Sequence, residues 1–242
     1  HLASLVRPKL RTRAFRWLVS VPGMVFVAAG SLSGLWLLLL LPIRGLLALL
    51  GHEGVLEGMR WLDFVPFLVA AFSILTSYRL AEEVVRVRLG GDGPATVSRM
   101  PVERYRRRAP APLEGRPLRI VQITDPHLGP WQPVHRLRKR IQDLIDHDPD
   151  LVLLTGDFLT MEGMGSPGAL AEALAPLRAV AERCFAIFGN HDHESPEEVR
   201  AALAANGIRL LVDEEVLVET FAGAVQVVGA NYVGRGRGEH IR

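Results

Sequence analysis

Three short groups of residues carry side chains able to do chemistry: Asp125-Pro126-His127, Gly156-Asp157 and Gly189-Asn190-His191-Asp192. Each follows an apolar run: IVQIT, LVLLT and CFAIF in turn. Such runs read as strands buried on both faces, and loops at the carboxyl ends of parallel strands converge in space. Carboxylate, imidazole and amide donors meeting there would suit hard or borderline divalent metals. Taken singly, each group is ambiguous, because Asp and His commonly sit in turns and Asp is a frequent helix N-cap. In this order, with one βα unit between neighbours, they point jointly to a metal site.

The elements that must position them begin at Leu118. Leu137, Ile141, Leu144 and Ile145 line one helical face opposite Arg138, Arg140 and Asp143. Leu170, Leu174, Leu177 and Val180 predict a second helix, with Pro176 weakening its interior. Ser195-Pro196-Glu197-Glu198 predicts a capping box that opens a helix to about Ala205, stopped by Gly207. RLLV, EEVLVET and VQVVGA then read as strands, the last set off by an Ala222-Gly223 turn.

Upstream the chain is of another kind. Trp17 to Ile43 is uncharged, and about 20 apolar residues suffice to span a bilayer; a buried soluble helix is the competing reading. A second candidate span runs from about Leu62 to Leu80, with Trp61 and Tyr78 as interfacial anchors. Pro66 leaves a re-entrant or surface-lying helix open there. Arg7, Lys9, Arg11, Arg13 and Arg16 precede the first span, and Arg79, Arg86 and Arg88 follow the second. By the positive-inside rule both flanks are cytoplasmic. The expectation is an integral inner-membrane protein with its chemistry on the cytoplasmic side. Residues 81–117 read as a Gly-, Pro- and Arg-rich connector. Within it, Arg106-Arg107-Arg108 either meets anionic lipid heads or is merely solvated. The division is thus a membrane segment over 1–80, a linker over 81–117 and a domain over 118–242.

Composition narrows the class. Hydrophobic residues make up 49% of the 242, and the net charge is only +2. Mean hydropathy is +0.20, and the excess lies at the front. No basic, aromatic-interleaved stripe marks the C-terminal part, so no nucleic-acid partner is expected. The single cysteine, Cys184, excludes an internal disulfide and a zinc-thiolate cage; it reads as a buried structural thiol.

TDPHLG, TGDFLT and FGNHDHE resemble the D-x-H, G-D and G-N-H-D/E signature of the calcineurin-like metallophosphoesterase superfamily. The resemblance runs from about Leu118 to the chain end, and the upstream membrane segment is similar to that of membrane-associated bacterial members. It implies an α/β fold: N-terminal transmembrane helices followed by a partial metallophosphoesterase βαβ sandwich. It also implies two divalent metal ions (Mn, Fe or Zn), with Asp125 and His127 on the first, Asp157 bridging both and Asn190 on the second. His191 is implied to stabilise the transition state or protonate the leaving oxygen, and Asp192 to orient it. The implied reaction is hydrolysis of a phosphomonoester or phosphodiester by a hydroxide activated between the metals. Partners would be a phosphoester substrate, lipid-linked or from the envelope if the anchor reflects it, and membrane lipids.

The sequence also departs from that pattern. The family's downstream G-H-x-H group is absent, and the last histidine, His240 in GEHIR, reads as an ordinary tail residue. The chain starts on His1 and ends just past a strand-like run; with the G-H-x-H group missing, truncation before the C-terminal histidine motifs is expected, and a missing start is left open. The alternative is a non-catalytic membrane scaffold that retains the fold. His193, beside the third group, either contacts substrate or faces solvent.

Overall fold

The computed structural model describes residues 8–77, 82–88, 95–100 and 117–232. Tyr78, Arg106-Arg107-Arg108 and His240 lie outside them. The chain divides into two units near residue 82, residues 8–10 falling with the second.

The N-terminal unit is helical. A five-residue π-helical turn, Arg16–Ser20, leads into the helix Val21–Leu49, and the helix Val65–Ser77 returns after short helical turns. Two helical stretches, Arg13–Leu49 and Glu53–Ser77, are long and apolar enough to cross a membrane. Only 11% of each apolar window is buried, whereas a soluble core helix would hide most of its surface. The two helices pack through small or compact groups, with Ala29 and Ala70 buried. Near the connecting end, Arg44 donates to the Asp63 carboxylate at 2.8 Å and to the Met59 carbonyl at 2.9 Å.

The connector expected over 81–117 contains regular structure. Strands β1 (Val84–Arg88) and β2 (Thr96–Met100) pair antiparallel. Val85, Val87 and Val97 share one face of this ribbon in register, a period-2 alternation that the surrounding Gly and Pro content had masked.

The second unit holds the three chemical groups. Strands β3 (Ile120–Ile123), β4 (Leu151–Leu154), β5 (Cys184–Ala186) and β6 (Arg209–Leu210) form one parallel sheet in that order. The helices Val134–Ile145 and Pro196–Ala205 and the segment 169–183 cover one face. Their core includes Leu137, Ile141, Leu170, Leu174, Leu177 and Val199, packed on Val152, Leu154 and Ala186. The other face carries Leu151, Phe185 and Leu211 against Val216, Val218, Val225 and Val227. Those valines come from a hairpin of β7 (Glu214–Thr220) and β8 (Gly223–Gly229). The result is helices, parallel sheet and hairpin in three layers, an α/β arrangement as expected.

Two local expectations are corrected. Pro176 ends the helix Ala169–Leu174, and the chain continues to Arg183 as 3-10 turns, because a proline offers no N–H to an α-helical ladder. Ser195 does stand at the N-cap of the last helix, but its side chain makes no capping bond. Glu198 instead accepts the Gly168 N–H at 2.8 Å, so a tertiary contact takes the carboxylate that the capping box would use.

A candidate metal centre at the strand ends

The first two groups are laced together by their backbones beyond the end of the sheet. Asp125 N–H donates to the Gly156 carbonyl, His127 N–H to Asp157 and Leu128 N–H to Phe158, at 3.2, 3.1 and 2.8 Å. Buried Leu128, Phe158 and Leu159 anchor these turns from below. The price is local backbone strain. Asp125, His127 and Asp157 all have positive φ, at 48°, 41° and 55°, a region in which Asp and His are tolerated better than most residues and which clusters at functional sites.

The third group is drawn in through glycines and through Asp192. Gly156 has φ +82°, and a Cβ on it would overlap the Gly189 backbone. A Cβ on Gly189 would strike the Asp157 carboxylate. The two turns therefore meet at a distance only glycine permits. Asp192, 1% exposed, reaches across from the 3-10 turn His191–Glu194. Its Oδ2 accepts the N–H groups of Asp157 and Gly189 at 2.7 and 2.8 Å, and its Oδ1 accepts that of Phe158 at 2.8 Å. Burial raises its carboxyl above the usual Asp range; the three N–H donors oppose this, and the Asp157 charge adds to it.

Asp125, His127 and Asp157 each offer a ligand atom, all within 4.8 Å of one another. His127 Nε2 lies 3.7 Å from Asp125 Oδ1 and 4.0 Å from Asp157 Oδ2. Those separations are too long for hydrogen bonds. They match two donors on one ion, since each metal bond is roughly 2.0–2.2 Å long. Two carboxylates and an imidazole facing one another thus fit a divalent cation. The neighbouring groups hold these ligands in place. Thr124 Oγ1 donates to Asp125 Oδ2, and the His191 N–H donates to Asp157 Oδ1 at 3.0 Å, so Asp157 Oδ2 is the oxygen turned toward His127.

Asn190 is exposed and immediately precedes this turn, next to the glycine that abuts Asp157. The His191 ring stands edge-on to that of His127, centroids 6.0 Å apart. Its Nδ1 pairs with Glu194 Oε1 at 2.9 Å. That hydrogen bond is the largest influence raising the His191 imidazole above its ordinary 6.5, with smaller help from the Asp157 charge. Glu194, not Asp192, is thus the carboxylate on the imidazole; the Asp192 oxygens are taken by backbone N–H groups. Sequence reasoning passed over Glu194, whose only signal is its spacing three residues from His191 on a helical turn.

With this geometry in hand, comparison with known proteins decides the family. Residues 118–233 match the family model described as calcineurin-like phosphoesterase. This domain belongs to the calcineurin-like phosphoesterase family. Phosphodiesterase YaeI of Escherichia coli (strain K12) is 29% identical over 117 residues, covering 47% of this chain and 43% of that protein. Uncharacterized metallophosphoesterase YkoQ of Bacillus subtilis (strain 168) is 32% identical over 122 residues, 46% of this chain and 42% of its own. UDP-2,3-diacylglucosamine pyrophosphatase LpxG of Chlamydia trachomatis is 40% identical over 76 residues, 31% of this chain and 23% of its own. The chain matches less than half the length of each of these relatives. No solved structure matches it.

Proposed function

We propose that the chain belongs to a membrane-anchored, divalent-metal phosphoesterase that hydrolyses a phosphomonoester or phosphodiester. The observation that carries this reading is the meeting of Asp125, His127 and Asp157, with ligand atoms within 4.8 Å, on turns from two adjacent parallel strands. Asp125 and His127 would hold one ion, Asp157 would bridge to a second, and Asn190 would contribute its amide oxygen to that second ion. Divalent ions held there would supply positive charge for the phosphoryl oxygens and make water more acidic. The protein's own part is positional. The Glu194 carboxylate fixes the His191 ring through Nδ1, which leaves Nε2 to hold a proton toward the leaving oxygen. Asp192 acts through the turns it ties together.

The two apolar helices and the similarity to a protein named for a diacylglucosamine pyrophosphatase support a lipid-linked phosphoester as substrate. The arginine-rich flanks support a cytoplasmic site. The test uses the full-length protein in detergent with Mn²⁺ and bis(p-nitrophenyl) phosphate. Asp157→Asn keeps the oxygen that accepts the His191 N–H, so the fold should survive while turnover is lost. Equal turnover by variant and wild type would sink the assignment. A wild type that binds Mn²⁺ yet releases no nitrophenolate would favour the scaffold reading.

A further inference from the structure

A ladder of rings leads away from the metal ligands. Phe188, 4% exposed, ends the β5 run, and the Arg200 guanidinium lies over its ring, 4.9 Å from the centroid. The His193 ring stands 5.4 Å from that of Phe188, and the Tyr232 ring 6.1 Å from that of His193, each tilted by about 40° (44° and 41°). His193 is exposed and Tyr232 is 41% exposed. His193 shares the short turn of His191, two residues on, where the rise is only about 2 Å per residue. Tyr232 arrives from the carboxyl end of β8, and the Asn231 N–H, bonded to Asp213 Oδ1 at 2.8 Å, fixes the backbone beside it.

We propose that His193 and Tyr232 form a shelf that takes a planar ring of the substrate, such as an aryl group or nucleobase, beside the phosphoester site. The inference rests on the phosphoester reading and adds the kind of group attached to the phosphorus. Phe188, clamped by Arg200 and buried beneath, sets the tilt of His193. The pair therefore offers ring faces that need little ordering when a ligand arrives. A flat π-system gains stacking there as well as burial, an alkyl group of similar size gains burial alone, and a bare phosphate gains neither.

The experiment measures binding of phenylphosphonate and methylphosphonate to the Mn²⁺-loaded full chain by titration calorimetry. Neither compound is hydrolysed, so the readout does not depend on turnover. Phenylphosphonate should bind the wild type on the order of 10-fold more tightly, the scale of one ring stacked on an aromatic side chain. His193→Ala and Tyr232→Leu should bring that ratio close to one, with methylphosphonate still bound, and Tyr232→Phe should keep it. A ratio near one in the wild type, or one preserved in both His193→Ala and Tyr232→Leu, overturns the shelf. Failure of both phosphonates to bind the wild type overturns the phosphoester reading and the shelf with it.

Discussion

Removing the Asp192 carboxylate tests whether the site is held from behind. The side chain accepts three backbone N–H groups, two on Oδ2 and one on Oδ1, from turns that also meet at Gly156 and Gly189 and through the His191 N–H on Asp157. Because burial already weighs against its charge, the loss is best counted in donors. Asp192→Ala orphans all three. At roughly 1–3 kcal/mol for each buried donor left unsatisfied, the cost is on the order of 5 kcal/mol. Asp192→Asn keeps one oxygen, which should stay with the paired donors of Asp157 and Gly189 and turn its NH₂ toward the Phe158 N–H. Its cost is then about 1–3 kcal/mol. The assay is residue-resolved amide exchange on the metal-free chain in detergent. The alanine variant should lose protection at Asp157, Phe158 and Gly189 together, by about 100-fold or more. The asparagine variant should lose it chiefly at Phe158, by about 10- to 100-fold, taking 1.4 kcal/mol as tenfold. Protection within threefold of wild type at all three amides in the alanine variant would refute the bracing role and return Asp192 to the role of orienting His191.

Two further outcomes follow from ionisable groups. Burial, with some help from Glu182, pushes the Cys184 thiol from 9.0 up to about 12. Its stabilising contribution is therefore full below pH 9 and is lost as pH rises from 9 toward 12, up to about 4 kcal/mol. The urea midpoint of the wild type should fall between pH 8 and 10.5 while that of Cys184→Ala stays flatter; labelling of native Cys184 at pH 8 as fast as a free thiol would contradict this. At the mouth of the site, Glu194→Gln removes the largest influence raising His191. Imidazole NMR of the metal-free chain should then show His191 titrating lower than in the wild type, and an unchanged midpoint would mean that the Nδ1 pair does not form in solution.

Much of the fold was legible because buried parallel strands are written as unbroken apolar runs. IVQIT, LVLLT and CFAIF each placed a strand, but only the last two are buried on both faces, because β3 lies at the sheet edge and exposes Ile120; the leucines at 170, 174 and 177 each face the core. What was not legible depended on partners far away in sequence. Glu198 looks like half of a capping box, yet the Gly168 N–H, thirty residues earlier, claims it. The β1–β2 ribbon shows only five residues of alternation in each strand, too short a signal to stand out from a connector.

The site divides along the same line. Which residues gather could be read from the ends of the runs, since topology alone brings Asp125, His127 and Asp157 to one edge of the sheet. What each residue then does depends on turn register. Asp157 presents one oxygen to His127 because the His191 N–H takes the other, and Asp192 faces backbone because two glycines let the turns of β4 and β5 touch. A carboxylate beside a histidine in sequence therefore need not be that histidine's partner. The 3-10 turn points Asp192 inward and leaves Glu194, one turn on, to meet the ring. The same turn carries His193 outward onto Phe188, so the consecutive side chains His191, Asp192 and His193 leave it in three directions, toward Glu194, toward the backbone of the neighbouring turn and toward a core ring.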